Sequence, residues 1–206
     1  MTELFLSAFV TLFVVIDPPG CAPIYAGLTA NASSRQAFNM ALRACVIATG
    51  ILVVFALFGE RLLGALHVEL DAFRIAGGIM LFMIALDMVF EKRTERREER
   101  AEKVRTAQPH VEDVSVFPMA MPMLAGPGSI ASVMLLTARA QGTTETMVIL
   151  AALTVVMLLS FFALVAARPI IRALGSQVEA VITRLLGVLL AALAAQFVID
   201  GIKAQF

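Results

Sequence analysis

Asp17-Pro18-Pro19-Gly20-Cys21-Ala22-Pro23 stands about 13 residues inside an apolar run that extends from Leu4 to Leu28. A run of that length can cross a bilayer, which takes roughly 20 mostly apolar residues in a helix. Proline removes a backbone N–H and crowds the turn before it, so a Pro-Pro-Gly cluster at that depth interrupts the helix. A second apolar run holds Pro118-Met119-Ala120-Met121-Pro122-Met123-Leu124-Ala125-Gly126-Pro127-Gly128-Ser129, in which Ala125-Gly126-Pro127-Gly128 repeats the device 108 residues after Asp17-Pro18-Pro19-Gly20. Irregular backbone within the hydrocarbon layer survives only against protein or a wet cavity, because lipid offers no hydrogen bonds. Two interrupted membrane helices therefore decide the fold.

The chemistry of each interruption can be read further. Asp17 followed by Pro18 has the form of a helix N-cap with proline at the first helical position. Gly126 followed by Pro127 has the same form with glycine as the cap. Each interruption then opens a half-helix whose free N–H groups and positive dipole end point into the protein. Carbonyls stranded on the other side of each break attract cations. A zwitterion needs both kinds of group, and a site lined by Asp17, Pro18, Gly20, Cys21, Gly126, Pro127, Gly128 and Ser129 suits a small one. Paired interruptions at corresponding places in two halves are the best sequence pointer to a transporter site. Two structural kinks without a site are the plainer alternative.

Working outward, the 206 residues are 60% hydrophobic and 16% charged, with mean hydropathy +0.89. Soluble domains run nearer to about 45–50% apolar and about 25% charged, so a soluble enzyme is excluded. The 16 basic and 16 acidic residues cancel, leaving no global attraction for nucleic acid. Two cysteines and two histidines, scattered at Cys21, Cys45, His67 and His110, make neither a disulfide scaffold nor a metal site. No cofactor motif and no Walker-type phosphate loop occurs. Six segments are long and apolar enough to span: about 4–28, 37–59, 72–90, 114–137, 146–167 and 181–202. The expected class is an all-α polytopic membrane protein whose first and fourth segments are discontinuous.

Orientation follows the bias of Lys and Arg in short loops. Twelve of the 16 basic residues fall on one side, seven of them in Glu91–Arg105, and four on the other. Both termini are therefore expected outside, with the charged linker 91–113 in the cytoplasm. Re-entrant hairpins at the first and fourth segments would keep nearly the same bias. The 91–105 stretch lacks an apolar face and carries helical charge pairs such as Glu99 with Lys103, which reads as a solvated helical extension and linker. No basic residue precedes the first apolar run, so it is read as a retained span and not a signal peptide.

The chain also resembles itself. Val68-Glu69-Leu70-Asp71-Ala72-Phe73-Arg74-Ile75-Ala76-Gly77 aligns without gaps to Val178-Glu179-Ala180-Val181-Ile182-Thr183-Arg184-Leu185-Leu186-Gly187, sharing Val, Glu, Arg and Gly. Together with the two interruptions this divides a single transmembrane domain, 1–206, into repeat 1 (1–90), the linker and repeat 2 (114–206). Three spans per half is an odd number, so the second half enters from the opposite side. The expected plan is two inverted three-helix repeats, as in many secondary transporters.

Asp17-Pro18-Pro19-Gly20-Cys21-Ala22-Pro23, Phe73-Arg74-Ile75-Ala76-Gly77-Gly78 and the 118–129 stretch, taken in this order, resemble the signature segments of the MarC family. The resemblance covers essentially the whole chain. It implies a bacterial inner-membrane protein of six spans and, for the SnatA-like branch, transport of glycine, alanine and similar small neutral amino acids. One position departs from the family pattern: Cys21 stands where asparagine is usual, and an amide that both donates and accepts is lost.

Charged groups within spans are functional suspects by default. Asp17 is a candidate cap, ammonium ligand or proton-exchanging group. Arg74 and Arg184 are repeat mates near the starts of their spans; snorkelling explains them, and a gate paired with Glu69, Glu179 or Asp17 is the sharper reading. Asp87 and Asp200 sit near span ends, where water reaches them. The leading expectation is a secondary transporter of small neutral amino acids working by alternating access, with a proton as candidate coupling ion. An exporter of another small polar solute or drug, and a membrane protein without transport activity, stay open beside it. An enzyme is not expected, because no His, Ser or carboxylate constellation clusters in the spans. The partners implied are the amino acid and the bilayer, and an oligomer is compatible with the resemblance.

Overall fold

The computed structural model describes residues 1–90, 99 and 113–205, and the regular structure among them is all helix. The order is α1 (Thr2–Ile16), α2 (Pro18–Leu28), α3 (Ser34–Ala65), α4 (Leu70–Val89), α5 (Ser115–Leu124, wound with π-type spacing), α6 (Pro127–Ala138), α7 (Thr143–Val165) and α8 (Ala167–Gln205). Five stretches are long and apolar enough to cross a membrane: Thr2–Leu28, Ser34–Ala65, Leu70–Val89, Thr143–Val165 and Val181–Ala204. The bent pair α5 and α6 makes a sixth when taken as one span. Each of the six segments read from the sequence thus holds a helix or a helix pair, and the chain is a polytopic all-α membrane protein. The reading of the charged linker 91–113, His110 included, lies outside the described residues except at 99 and 113.

Local sequence explains where these elements begin and fail. Ser33 and Gln36 open α3 with reciprocal capping: the Ser33 hydroxyl accepts from the Gln36 N–H, and the Gln36 side chain accepts from the Ser33 N–H. In α5 the regular winding fails at Phe117 (φ −129°, ψ 127°) and Met121 (φ −132°, ψ 124°). Both precede prolines, and a following proline ring pushes its neighbour out of the α region into extended backbone. Regular helix resumes only at Pro127, and α6 leaves α5 at 53°.

The spans pair across the two halves of the chain. α4 packs along α8, α1 and α2 against α7 and α8, and α3 against α5, α6 and α7. The α4–α8 contact is antiparallel and is built on small residues. A Cβ on Gly78 would lie 2.9 Å from the Ala194 carbonyl, one on Gly187 3.1 Å from the Ala85 carbonyl, and one on Gly201 3.0 Å from the Asp71 carbonyl. Backbones approach this closely only where side chains are missing, and close packing of small residues holds helices together in a solvent as apolar as they are.

Two apolar cores flank the interruptions. The larger joins α1, α2, α3, α5, α6 and α7 around Leu12, Ile16, Tyr25, Leu52, Met119 and Leu153. The smaller joins α1, α4, α6 and α8 around Val14, Val15, Leu81, Leu135 and Phe197. The end of α1 and the body of α6 contribute to both, so the two breaks sit at their junction.

Candidate functional site

At the first break, Asp17 closes one helix and opens the next. Its backbone is left-handed (φ 58°, ψ 65°), a conformation that Asp and Asn tolerate better than most residues. Its N–H donates to the Phe13 carbonyl at 2.9 Å, ending α1, and its side chain accepts from the Gly20 N–H at 3.1 Å, capping α2. The carboxylate is 1% exposed. A Cβ on Gly20 would collide with that carboxylate, so glycine here makes room for the cap. The Cys21 thiol donates to the Ile16 carbonyl at 3.5 Å, satisfying an acceptor stranded at the end of α1. A thiol does locally what the donor half of an amide could do.

The second break is built differently. Gly126 is extended (φ −80°, ψ 172°) and Pro127 opens α6, but no side chain caps the helix. A Cβ on Gly126 would meet the Pro122 carbonyl oxygen. Gly128 and Ser129 are buried in the first turn of α6, and Ser132 is fully buried with an Oγ that has no hydrogen-bond partner. One helix start thus carries its own anion, and the other presents uncapped N–H groups and an unpaired hydroxyl nearby.

The two breaks touch. A Cβ on Gly128 would lie 3.4 Å from Val15 Cγ1 and 2.5 Å from Ile84 Cδ1, which places the start of α6 against the last turn of α1 and the middle of α4. Asp17, Pro18, Gly20, Cys21, Gly126, Gly128 and Ser129 are all buried and Pro127 is exposed; the contact that brings the two breaks near each other is that of Gly128 with Val15.

Arg74 and Arg184 are not brought into this group. Arg74 pairs with Asp71 on its own helix at 2.7 Å, and Arg184 is exposed on α8. Arg74 precedes Leu81, which marks the depth of Gly128 on α4, by seven residues, about 10 Å along a helix. The two glycines that the sequence aligns with each other also have unlike surroundings. Gly77 faces Leu135 and Ala131 of α6, whereas Gly187 faces α4.

Three features have no counterpart in the sequence reading. Arg139, at the end of α6, pairs with Asp200 of α8 at 2.6 Å; Gln196 donates to the same carboxylate at 2.6 Å, and the guanidinium lies 4.7 Å from the Phe197 ring centre. Arg43 of α3 pairs with Asp113, whose other oxygen accepts from the Ser115 N–H, the first of α5, at 2.9 Å. Burial alone would raise the Asp113 carboxyl, but hydrogen bonding from Ser115 and the Arg43 charge outweigh it and hold it below the ordinary range. A groove of about 360 Å³ opens between α2, the start of α3 and the junction of α7 with α8, lined by Tyr25, Thr29, Phe38 and Leu164. These contacts join residues distant along the chain, and no local pattern announces them. Among the described residues no cluster of three or more His, Cys, Asp or Glu is placed to hold a metal.

The fold and the paired breaks define a multi-pass integral membrane protein with two discontinuous helices. Residues 2–206 match the family described as MarC family integral membrane protein. Relatives include a UPF0056 membrane protein of Methanocaldococcus jannaschii, 32% identical over 98% of this chain and 97% of its own length. The UPF0056 membrane protein YvbG of Bacillus subtilis is 30% identical over 100% and 97%, and YhcE of Escherichia coli is 31% identical over 96% and 91%. No solved structure matches. The chain belongs to the MarC family.

Proposed function

We propose that this protein is a secondary transporter that moves small neutral amino acids of the glycine and alanine type across the inner membrane by alternating access. The observation that carries the reading is the contact of the two buried breaks, with Gly128 of one against Val15 beside the other. Discontinuous spans that meet within the bundle are the site architecture of secondary transporters. The unlike chemistry of the breaks gives the substrate a direction. Asp17 already supplies an anion to the start of α2, so that break suits the ammonium group. The uncapped start of α6, with Ser129 and Ser132 beside it, suits the carboxylate. Glycines and prolines line the region, which favours a side chain no larger than a methyl or two.

Alternating access by two inverted halves is supported by the way the spans pair across them: third with sixth, first with fifth, second with fourth. In this reading the termini face the periplasm and the charged linker 91–113 the cytoplasm. Asp17 is the group through which a proton could be coupled. The test is uptake of labelled glycine and alanine into proteoliposomes with and without a pH gradient. Saturable uptake that the gradient changes supports the proposal, and uptake equal to that of empty vesicles ends it.

A further inference from the structure

We infer that Arg139 and Asp200 are positioning residues that latch the half-helix α6, and that the open or closed state of the break depends on this pair. The inference rests on the reading of the breaks as the moving parts of the protein. α6 is short, 12 residues between the 53° bend at its start and Arg139 at its end. Packed along its sides against α1, α3 and α4, α6 has its far end fixed by one further contact. That contact is made by the Arg139 guanidinium, bonded to Asp200 at 2.6 Å and lying over Phe197, with Gln196 holding the second carboxylate oxygen at 2.6 Å. Asp200, Gln196 and Phe197 all belong to α8, which is itself clamped to α4 through Gly78, Gly187 and Gly201. The latch therefore ties the end of α6 to the α4–α8 helix pair.

The location fits a gate. The pair stands at the end of α6 and near the end of α8, at the same end of the bundle as Asp71 and Arg74, since Gly201 lies against Asp71 and Arg74. The groove of about 360 Å³ lies at the opposite end, where α2 finishes and α8 begins. The conformation is thus latched at one end and grooved at the other, with the breaks between. The ion pair is about a third exposed, so water can compete for it once it parts.

The experiment reads the break without any substrate. Cys21 is fully buried at the first break, and Cys45→Ser leaves it as the sole thiol. In that background, Arg139→Gln and Asp200→Asn should each raise the labelling rate of Cys21 by a hydrophilic thiol reagent at least about fivefold, the low end of ordinary coupling between sites. Arg139→Asp combined with Asp200→Arg should bring the rate back toward the parent value, and Asp200→Glu, which keeps the charge, should leave it low. Melting temperature read alongside separates opening from unfolding. Parent-like labelling in both single variants, or fast labelling in Asp200→Glu equal to that in Asp200→Asn, overturns the latch. A raised rate in a protein that fails to transport amino acids would keep the latch and remove the substrate reading instead.

Discussion

Asp17 and Gly20 form one structural unit: the Gly20 amide donates to the Asp17 carboxylate at 3.1 Å, and any side chain on Gly20 would occupy the space that carboxylate fills. The glycine is required by the cap before any question of substrate arises. Gly20→Ala should therefore displace the carboxylate and cost about 1 kcal/mol, the usual worth of an N-cap. A lowered melting temperature of the detergent-solubilised variant is the check, and an unchanged one would mean that the cap contributes nothing.

Gly128 should behave differently, although it occupies the corresponding place. The first atom that a Cβ there would meet is the tip of Ile84, a side chain that can turn away. Gly128→Ala is expected to leave the melting temperature close to that of the parent, while Gly128→Val, stiff at χ1, should block transport. Full activity in Gly128→Val would mean that the second break is only a kink.

Helix packing offers a contrast within one residue type. Gly78 lies against the backbone of α8, with the Ala194 carbonyl 2.9 Å and the Val198 nitrogen 3.0 Å from where its Cβ would be, and neither can yield. Gly50 on α3 has nothing within 4 Å. Gly78→Ala should separate α4 from α8 and lower stability, whereas Gly50→Ala should raise it slightly, since glycine within a helix is about 1 kcal/mol less favourable than alanine. Equal melting temperatures for the two variants would contradict the packing described.

Asp113 sets a pH dependence whose direction can be worked out. Its carboxyl is held below the ordinary range when folded, so its contribution is complete above the unfolded value of about 3.9. That contribution fades as pH falls through the lowered folded value. The melting-temperature difference between the parent and Asp113→Asn should hold steady from about pH 7 to about pH 5 and shrink below about pH 4. Being partly exposed, the pair with Arg43 is worth little on its own, and asparagine keeps an oxygen for the Ser115 N–H, so the difference should be small and set by the lost charge. A difference that grows on acidification would reverse the assignment.

Much of this architecture was legible in the chain because the bilayer makes severe demands. Apolar length alone located six spans, and Pro18, Pro19, Pro122 and Pro127 located the interruptions, since proline acts through its own ring and missing N–H. The Asp17 cap could be read for the same reason: it is local, spanning three residues. The unlikeness of the two breaks was harder to foresee. Asp17-Pro18 and Gly126-Pro127 look alike as motifs, yet Asp17 turns left-handed and Gly126 stays extended. The α5 irregularity follows from the prolines after Phe117 and Met121, but that both peptide bonds are cis does not. Arg139 with Asp200, and Arg43 with Asp113, lie 61 and 70 residues apart. Their pairing depends on how helices are placed, which no periodicity encodes. Arg74 and Arg184 share a sequence pattern, yet Arg74 pairs with Asp71 on its own helix and Arg184 is exposed on α8.

The central claim, that the two breaks together hold a small zwitterion, is tested most directly by counterflow of labelled alanine in proteoliposomes carrying the parent or Asp17→Asn. Asparagine keeps the capping oxygen and tolerates the left-handed backbone, so the fold should stand while the charge is removed. The account predicts saturable counterflow in the parent and its loss in Asp17→Asn at an unchanged melting temperature. Parent-level counterflow in Asp17→Asn would leave Asp17 as a cap alone, and the absence of counterflow in the parent would contradict the amino-acid site altogether.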